Sequence, residues 1–260
     1  MKKARGTTFH HICLSPSREG CTEVKYIVAG LVCTLTAVAG PVMESFPEGG
    51  RQIRVETYAP SEPGRHPAVI LLHGADNFEP HAAAYRNSAE ELAAHGYVAL
   101  IVHYFDATGT RWADENAIAN DFLTWMDAAA EAVTFASAKE DVEAARIGFA
   151  GFSLGASLAL SLASQDSRIA AVADFYGTLP DLAAALLKRM PPVLILHGSA
   201  DRLVPSSEAF KLQRVLEAKG VPYEMKIYPN QGHGFTGPAS VDAANRALAF
   251  FDRFLRNRTP

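Results

Sequence analysis

The stretch RIGFAGFSLGASLALSLAS, Arg146 to Ser164, sets one serine between two glycines at the point where a strand-like apolar run gives way to a small-residue helical one. A serine on so tight a strand-to-helix turn needs flanking residues without side chains, because the backbones of strand and helix crowd the corner. Ser153 of GFSLG is therefore predicted to stand with its hydroxyl lifted at the top edge of a sheet. The pattern G-x-S-x-G alone is weak. Its setting, a strand pattern before and a helix pattern after, is the condition that gives it meaning.

From about Arg51 the chain alternates strand-like and helix-like blocks, and several strand candidates are continuous apolar runs, as expected where helices cover both faces of a parallel sheet. Strands are predicted over residues 53–58, 67–74, 97–104, 146–151, 169–177, 192–198 and 223–229. Helices are predicted over 82–95, 115–138, 154–164, 182–188, 206–219 and 240–257. Ala94-His95-Gly96 and Ala218-Lys219-Gly220 each end a helix with a cation near the C-terminus and a glycine beyond it. The fold class that follows is α/β, an open, doubly wound and mostly parallel sheet with ligand sites beyond the carboxyl ends of its strands.

With 260 residues, 48% of them apolar, the chain can bury a sizeable core, and it holds no repeat or linker that would divide residues 40–260, which read as one domain. The formal net charge of -4 is spread rather than blocked, which argues against nucleic acid or an anionic membrane as partner and favours small molecules. The oligomeric expectation is a monomer or a homodimer.

Residues 1–39 read as an extension ending in a secretory signal. The uncharged run YIVAGLVCTLTAVAG follows Lys25 and ends in Ala37-Val38-Ala39, an A-x-A cleavage site before Gly40. It is short for a membrane span, which needs about 20 apolar residues, so export with removal is expected and no membrane attachment afterwards. The long polar stretch ahead of it is unusual for such a signal, and translation from Val24 would leave a compact one. If the segment is not a functional signal, the protein is cytoplasmic. Cys13, Cys21 and Cys33 all precede the cut, so the mature chain would hold no thiol or disulfide.

A serine hydroxyl is a poor nucleophile without a base, so a histidine oriented by a carboxylate is expected downstream. Asp201 lies in HGSADRLVP after the strand PVLILHG, and His233 lies in NQGHGF after the strand YEMKIYP. Both loops leave the sheet at the edge that carries Ser153, in the chain order Ser, Asp, His. Asp174 is the rival acid. It too ends a strand, but the sequence around it continues apolar, whereas Asp201 sits among turn residues. His73 and His197, each before a glycine, read as packing or hydrogen-bonding residues. His81, His95 and His103 show no metal-ligand spacing, so neither metal nor cofactor is expected. Two donors must hold the oxyanion of an acyl-transfer intermediate. The Leu154 amide directly follows the nucleophile at a helix start, and the loop HGADNF offers the second at Ala75, with Asp76 or Asn77 as alternatives. Arg111, on the loop after HYFDATGT, could hold a substrate carboxylate.

Together LLHGADNF, YVALIVHYFDATGT, RIGFAGFSLGA, LILHGSADRLVP and IYPNQGHGF resemble the dienelactone hydrolase family of the α/β-hydrolases, from the first strand to the C-terminus. The resemblance implies a compact hydrolase of small esters or lactones, with Ser153, Asp201 and His233 at the triad positions. The type enzymes of the family carry cysteine as nucleophile. Serine here points to a carboxylesterase. Two other functions fit parts of the pattern: a peptidase like the prolyl oligopeptidases, which share this layout, and a non-catalytic binding protein, which would usually lack a triad member.

Overall fold

The computed structural model describes residues 40–76 and 78–257. The export signal, alternative start and cysteines expected in residues 1–39 lie outside the described residues. The strands are β1 (Val42–Glu48), β2 (Arg51–Tyr58), β3 (His66–Leu72), β4 (Val98–Val102), β5 (Val142–Phe152), β6 (Ile169–Phe175), β7 (Val193–Gly198) and β8 (Tyr223–Tyr228). They form one eight-stranded sheet in the order β1-β2-β4-β3-β5-β6-β7-β8. The pairs β1–β2 and β2–β4 are antiparallel and the rest of the sheet is parallel. The helices are α1 (Phe78–Ala94), α2 (Glu115–Ala138), α3 (Leu154–Ala163), α4 (Asp181–Ala185), α5 (Ser207–Ala218) and α6 (Pro238–Phe251).

The apolar runs of the central strands serve two cores at once. In β3, Ala68, Ile70 and Leu72 face one core and Val69 and Leu71 the other; in β4, Val98, Leu100 and Val102 alternate in the same way with Ala99 and Ile101. This is the period of two that a strand imposes on its side chains. On the first face α2, α3 and α5 supply Trp125, Leu158 and Leu212; on the second α1 and α6 supply Tyr85, Ala89, Phe250 and Phe251. Each strand residue is therefore buried whichever way it points, and the sequence needs no polar alternation to specify it.

Several boundaries differ from the sequence reading: α1 and β5 begin at Phe78 and Val142, ahead of the predicted residues 82 and 146, and α4 ends at Ala185, short of the predicted 188. Strand β1 was not predicted: only Phe46 of its seven residues is fully buried, and it holds Pro47 at the sheet edge, where a missing amide is tolerated. Its turn to β2 is Gly49-Gly50, which take left-handed φ values of 54° and 78°, as a two-residue hairpin of type I′ requires, and the sequence reading did not single it out. The strand predicted over 97–104 ends at Val102, and residues Tyr104–Ala107 form a 3-10 turn. The last helix ends at Phe251 and continues as a wider turn over Asp252–Arg256.

Candidate active site

Ser153 sits between β5 and α3 with φ 53° and ψ -116°. This region is left-handed, and a non-glycine residue there costs about 1–3 kcal/mol, which the surrounding packing must hold. The two glycines of GFSLG explain how. A Cβ on Gly151 would lie 2.4 Å from Ala156 Cα, and one on Gly155 would lie 2.2 Å from the Leu72 carbonyl oxygen. Helix α3 thus rests directly on the ends of β3 and β5, and all ten of its residues are buried. The Ser153 amide donates to the Phe175 carbonyl at 2.9 Å, tying the turn to β6.

The loops after β7 and β8 meet over this serine. His233 Nε2 is 2.8 Å from Ser153 Oγ, and His233 Nδ1 is 2.8 Å from Asp201 Oδ2. Asp201 is fixed on its other oxygen as well, because Oδ1 accepts the amides of Leu203 and Val204 at 2.9 Å each. The two loops are knitted together behind the pair. Ala200 N donates to Gln231 O at 2.9 Å, Asn230 N donates to Ser199 Oγ at 3.0 Å, and a Cβ on Gly198 would lie 2.3 Å from Gln231 O. This arrangement can pass a proton from the serine hydroxyl to the imidazole, while the buried carboxylate keeps the Nδ1–H tautomer and faces the imidazolium that forms.

His197, read from the sequence as a packing or hydrogen-bonding residue, is both. Wholly buried on β7, it donates from Nε2 to the Val204 carbonyl at 2.9 Å, and the same nitrogen is 3.4 Å from Asp201 Oδ2. It closes the short loop that presents Asp201. His73 stacks on Tyr104 at 4.3 Å and has Nδ1 2.8 Å from the Gly74 carbonyl oxygen; burial pushes its pKa down to about 4, which keeps it neutral.

The rival acid is placed elsewhere. Asp174 lies on β6 beside Gly151 of β5, with Oδ1 accepting the Gly177 amide at 2.8 Å and Oδ2 without a hydrogen-bond partner among the described residues. Its carboxyl is fully buried, and that burial pushes its pKa up to about 7. Among the described residues no group of three or more His, Cys, Asp or Glu is arranged to hold a metal ion.

The loop after β3 runs against the serine: a Cβ on Gly74 would be 3.5 Å from Ser153 Cβ. Ala75 lines the same cavity as Ser153, and its carbonyl accepts the Ala113 amide at 2.7 Å, which pins the loop. Leu154 is the first residue of α3, where helix amides lack intrahelical partners. Asp76 pairs with His81 at 2.6 Å, and Asn77 lies outside the described residues. Arg111 does not come to this cavity. It is exposed on the loop before α2 and lines a separate hollow with Arg54, His103 and Asp106. The distance in sequence between Arg111 and Ser153 leaves such a placement to the packing of the loop alone.

The cavity over Ser153 has a volume of about 350 Å³ and three walls that sequence reasoning did not single out, Tyr85, Tyr176 and Phe235. Tyr176 stands edge-on to the His233 ring at 4.9 Å and to Phe235 at 5.3 Å, and it holds a left-handed φ of 48°. Its position at the carboxyl end of β6 was the available signal, since that edge of such a sheet carries the ligand site.

The profile of the dienelactone hydrolase family matches residues 53–256. The chain belongs to the dienelactone hydrolase family. A carboxymethylenebutenolidase homolog of Xenopus tropicalis is 24% identical over 73% of this chain and 78% of its own length. The crystal structure of a dienelactone hydrolase-like promiscuous phosphotriesterase from metagenomic libraries aligns with a TM-score of 0.70 and 20% identity, covering 83% of this chain and 99% of that one. A puromycin-hydrolyzing peptidase of Mycobacterium tuberculosis aligns with a TM-score of 0.63 and 18% identity, covering 83% of this chain and 39% of that one. These likenesses give the α/β-hydrolase fold, and membership of the family makes the chain a hydrolase.

Proposed function

We propose that this dienelactone hydrolase family member is a serine esterase that cleaves small, uncharged carboxylic esters or lactones through an acyl-enzyme. The observation that carries the reading is the unbroken hydrogen-bond chain from Ser153 Oγ through His233 to Asp201, opening on a cavity walled by Tyr85, Tyr176 and Phe235. Ser153 Oγ attacks the carbonyl carbon as its proton passes to His233 Nε2. The amides of Leu154 and Ala75 receive the oxyanion. Collapse expels the alcohol oxygen, which takes the proton from the imidazolium, and water repeats the sequence to release the acid and restore the serine.

An uncharged substrate follows from the walls. No Lys or Arg is among the described residues that line the Ser153 cavity, and its His81 is already paired with Asp76. Arg111, on the other hollow, is not positioned to hold a carboxylate beside Ser153. A second reading, peptide hydrolysis, draws on the fold shared with the puromycin-hydrolyzing peptidase, which extends over 39% of that chain.

One panel separates these readings: p-nitrophenyl esters, lactones and chromogenic peptides, offered to the wild type and to Ser153→Ala. The esterase reading expects turnover of the esters or lactones, loss of that turnover in Ser153→Ala, and one fluorophosphonate adduct on Ser153. Turnover of peptides alone replaces it with the peptidase. Labelling that persists in Ser153→Ala removes Ser153 as nucleophile.

A further inference from the structure

A second hollow, of about 220 Å³, adjoins the Ser153 cavity. It lies between α1 and α6 over the sheet face that carries the second core, walled by Leu71, Leu92, Ala150, Leu248 and Phe251. Ala84, Phe152, Tyr176 and Phe235 line both this hollow and the cavity over the serine. Phe152 immediately precedes the nucleophile and Phe235 is two residues beyond His233. The partition between the two spaces is thus a set of aromatic rings: Phe152 lies on Phe175 at 4.6 Å and edge-on to Tyr85 at 5.2 Å, and Phe235 is edge-on to Tyr176 at 5.3 Å.

The hollow exists because the facing helices carry small residues there, Ala84 and Ser88 on α1 and Ala243, Ala244 and Ala247 on α6. Protein interiors are otherwise packed with few voids larger than a water. Its surface is mainly apolar, and Ser88 spends its hydroxyl on the Ala84 carbonyl of its own helix at 2.9 Å. Ser240 likewise donates to the Gly237 carbonyl at 2.7 Å, and the one charged lining residue, Glu91, is solvent-exposed and lies 3.4 Å from His95, so the lining is mainly apolar and begins at the atoms next to the nucleophile. A space of this kind suits an apolar group covalently attached to the reacting carbonyl.

We infer that the hollow receives an uncharged apolar chain of the ester substrate, which makes medium-length alkyl esters the preferred substrate class; the inference rests on the esterase reading above. The size sets the length. A dry apolar cavity of roughly 150 Å³ takes up benzene, so this one holds about nine carbons. Either side of the ester can supply the chain, as a fatty acyl group or as an alkyl alcohol, and the hydrophobic gain is the same.

The test measures kcat/KM along two series, p-nitrophenyl alkanoates from acetate to dodecanoate and alkyl acetates from methyl to dodecyl. One series is expected to climb by about fourfold per methylene and to level off near eight or nine carbons, and which series climbs tells whether acyl chain or alcohol occupies the hollow. Ser88→Phe and Ala244→Phe each fill the hollow from one wall and sit on helix surfaces, so one can stand in should the other not fold. In either variant the ratio of kcat/KM for the octyl substrate over the shortest one is expected to fall at least about fifteenfold, the value of two methylenes. Turnover of acetates with a flat profile in both series, or an unchanged ratio in the folded variants, overturns the hollow as a chain site and leaves the esterase reading standing. No turnover of any ester removes the esterase reading and this inference with it.

Discussion

The Nδ1 of His233 lies 2.8 Å from Oδ2 of Asp201, a carboxylate with no exposed side-chain surface. The neighbouring amides of Leu203 and Val204 hold its other oxygen, which fixes the carboxylate against the histidine. In the proposed mechanism its role is orientation. Asp201→Asn is expected to fold normally, by circular dichroism, and to lose on the order of 10⁴ in kcat, because the amide favours the wrong imidazole tautomer. Combined with His233→Ala it should cost scarcely more than His233→Ala alone, since the aspartate acts through the histidine. Asp174→Asn, behind the elbow, should stay within about tenfold of wild type. A folded, inactive Asp174→Asn beside an active Asp201→Asn would exchange the two assignments.

Gly155 sets the elbow by contact. Because a Cβ there would meet the Leu72 carbonyl, a backbone atom of the central strand β3 that cannot step aside, Gly155→Ala is expected to destabilise by at least about 2 kcal/mol. Thermal denaturation should show a Tm lowered by about 4 °C or more. Gly232, with nothing within 4 Å of its added Cβ, is the control, and Gly232→Ala should leave Tm nearly unchanged. Equal melting of the two variants counts against the contact as the reason for glycine.

Glu56 on β2 is buried and held by three groups: Arg86 Nε and Nη2 at 2.7 and 2.8 Å, His103 Nε2 at 3.1 Å and the Tyr58 hydroxyl at 3.4 Å. Burial alone would push this carboxyl up, but the Arg86 guanidinium and His103 outweigh it, and the pKa lies below the ordinary value. Arg86→Ala strands the charge and should cost about 3 kcal/mol by urea denaturation at neutral pH. The depressed pKa means that the stabilisation is present above the ordinary carboxylate range and is lost as pH falls through the folded value. The gap between wild type and Arg86→Ala is therefore expected to narrow in acid, and a gap that widens there would contradict the pairing.

Asp174 predicts the opposite slope. Its folded pKa near 7, against an ordinary 3.8, means that the native state binds a proton the unfolded chain does not over that interval. This contribution to stability is complete below the ordinary pKa and is lost as pH rises through about 7. Urea midpoints of wild type and Asp174→Asn at pH 5 and pH 8 are the measurement. The wild type should gain on the variant at the lower pH. A difference that does not change between the two values excludes a protonated Asp174.

Short-range pattern determined a large part of this protein. Strands β3, β4, β6 and β7 and the second half of β5 are written as apolar runs because both their faces are covered, and the elbow is written as two glycines because strand and helix backbones touch there. Each of these constraints acts between residues a few positions apart, so one sequence displays it. Tertiary structure alone decided the rest. Asp174 and Asp201 both end strands, and the difference between them is which way the following loop turns: one carboxylate is sealed behind α3 with an oxygen that has no hydrogen-bond partner among the described residues, the other is carried to His233 by the His197–Val204 bond. Arg111 was set on another hollow by the loop before α2, and the aromatic walls around Ser153 were gathered from α1, β5, β6 and the last loop. The empty space beside them follows from alanines on two helices far apart in the chain. A cavity is a property of what faces what, and no periodicity within a single segment records it.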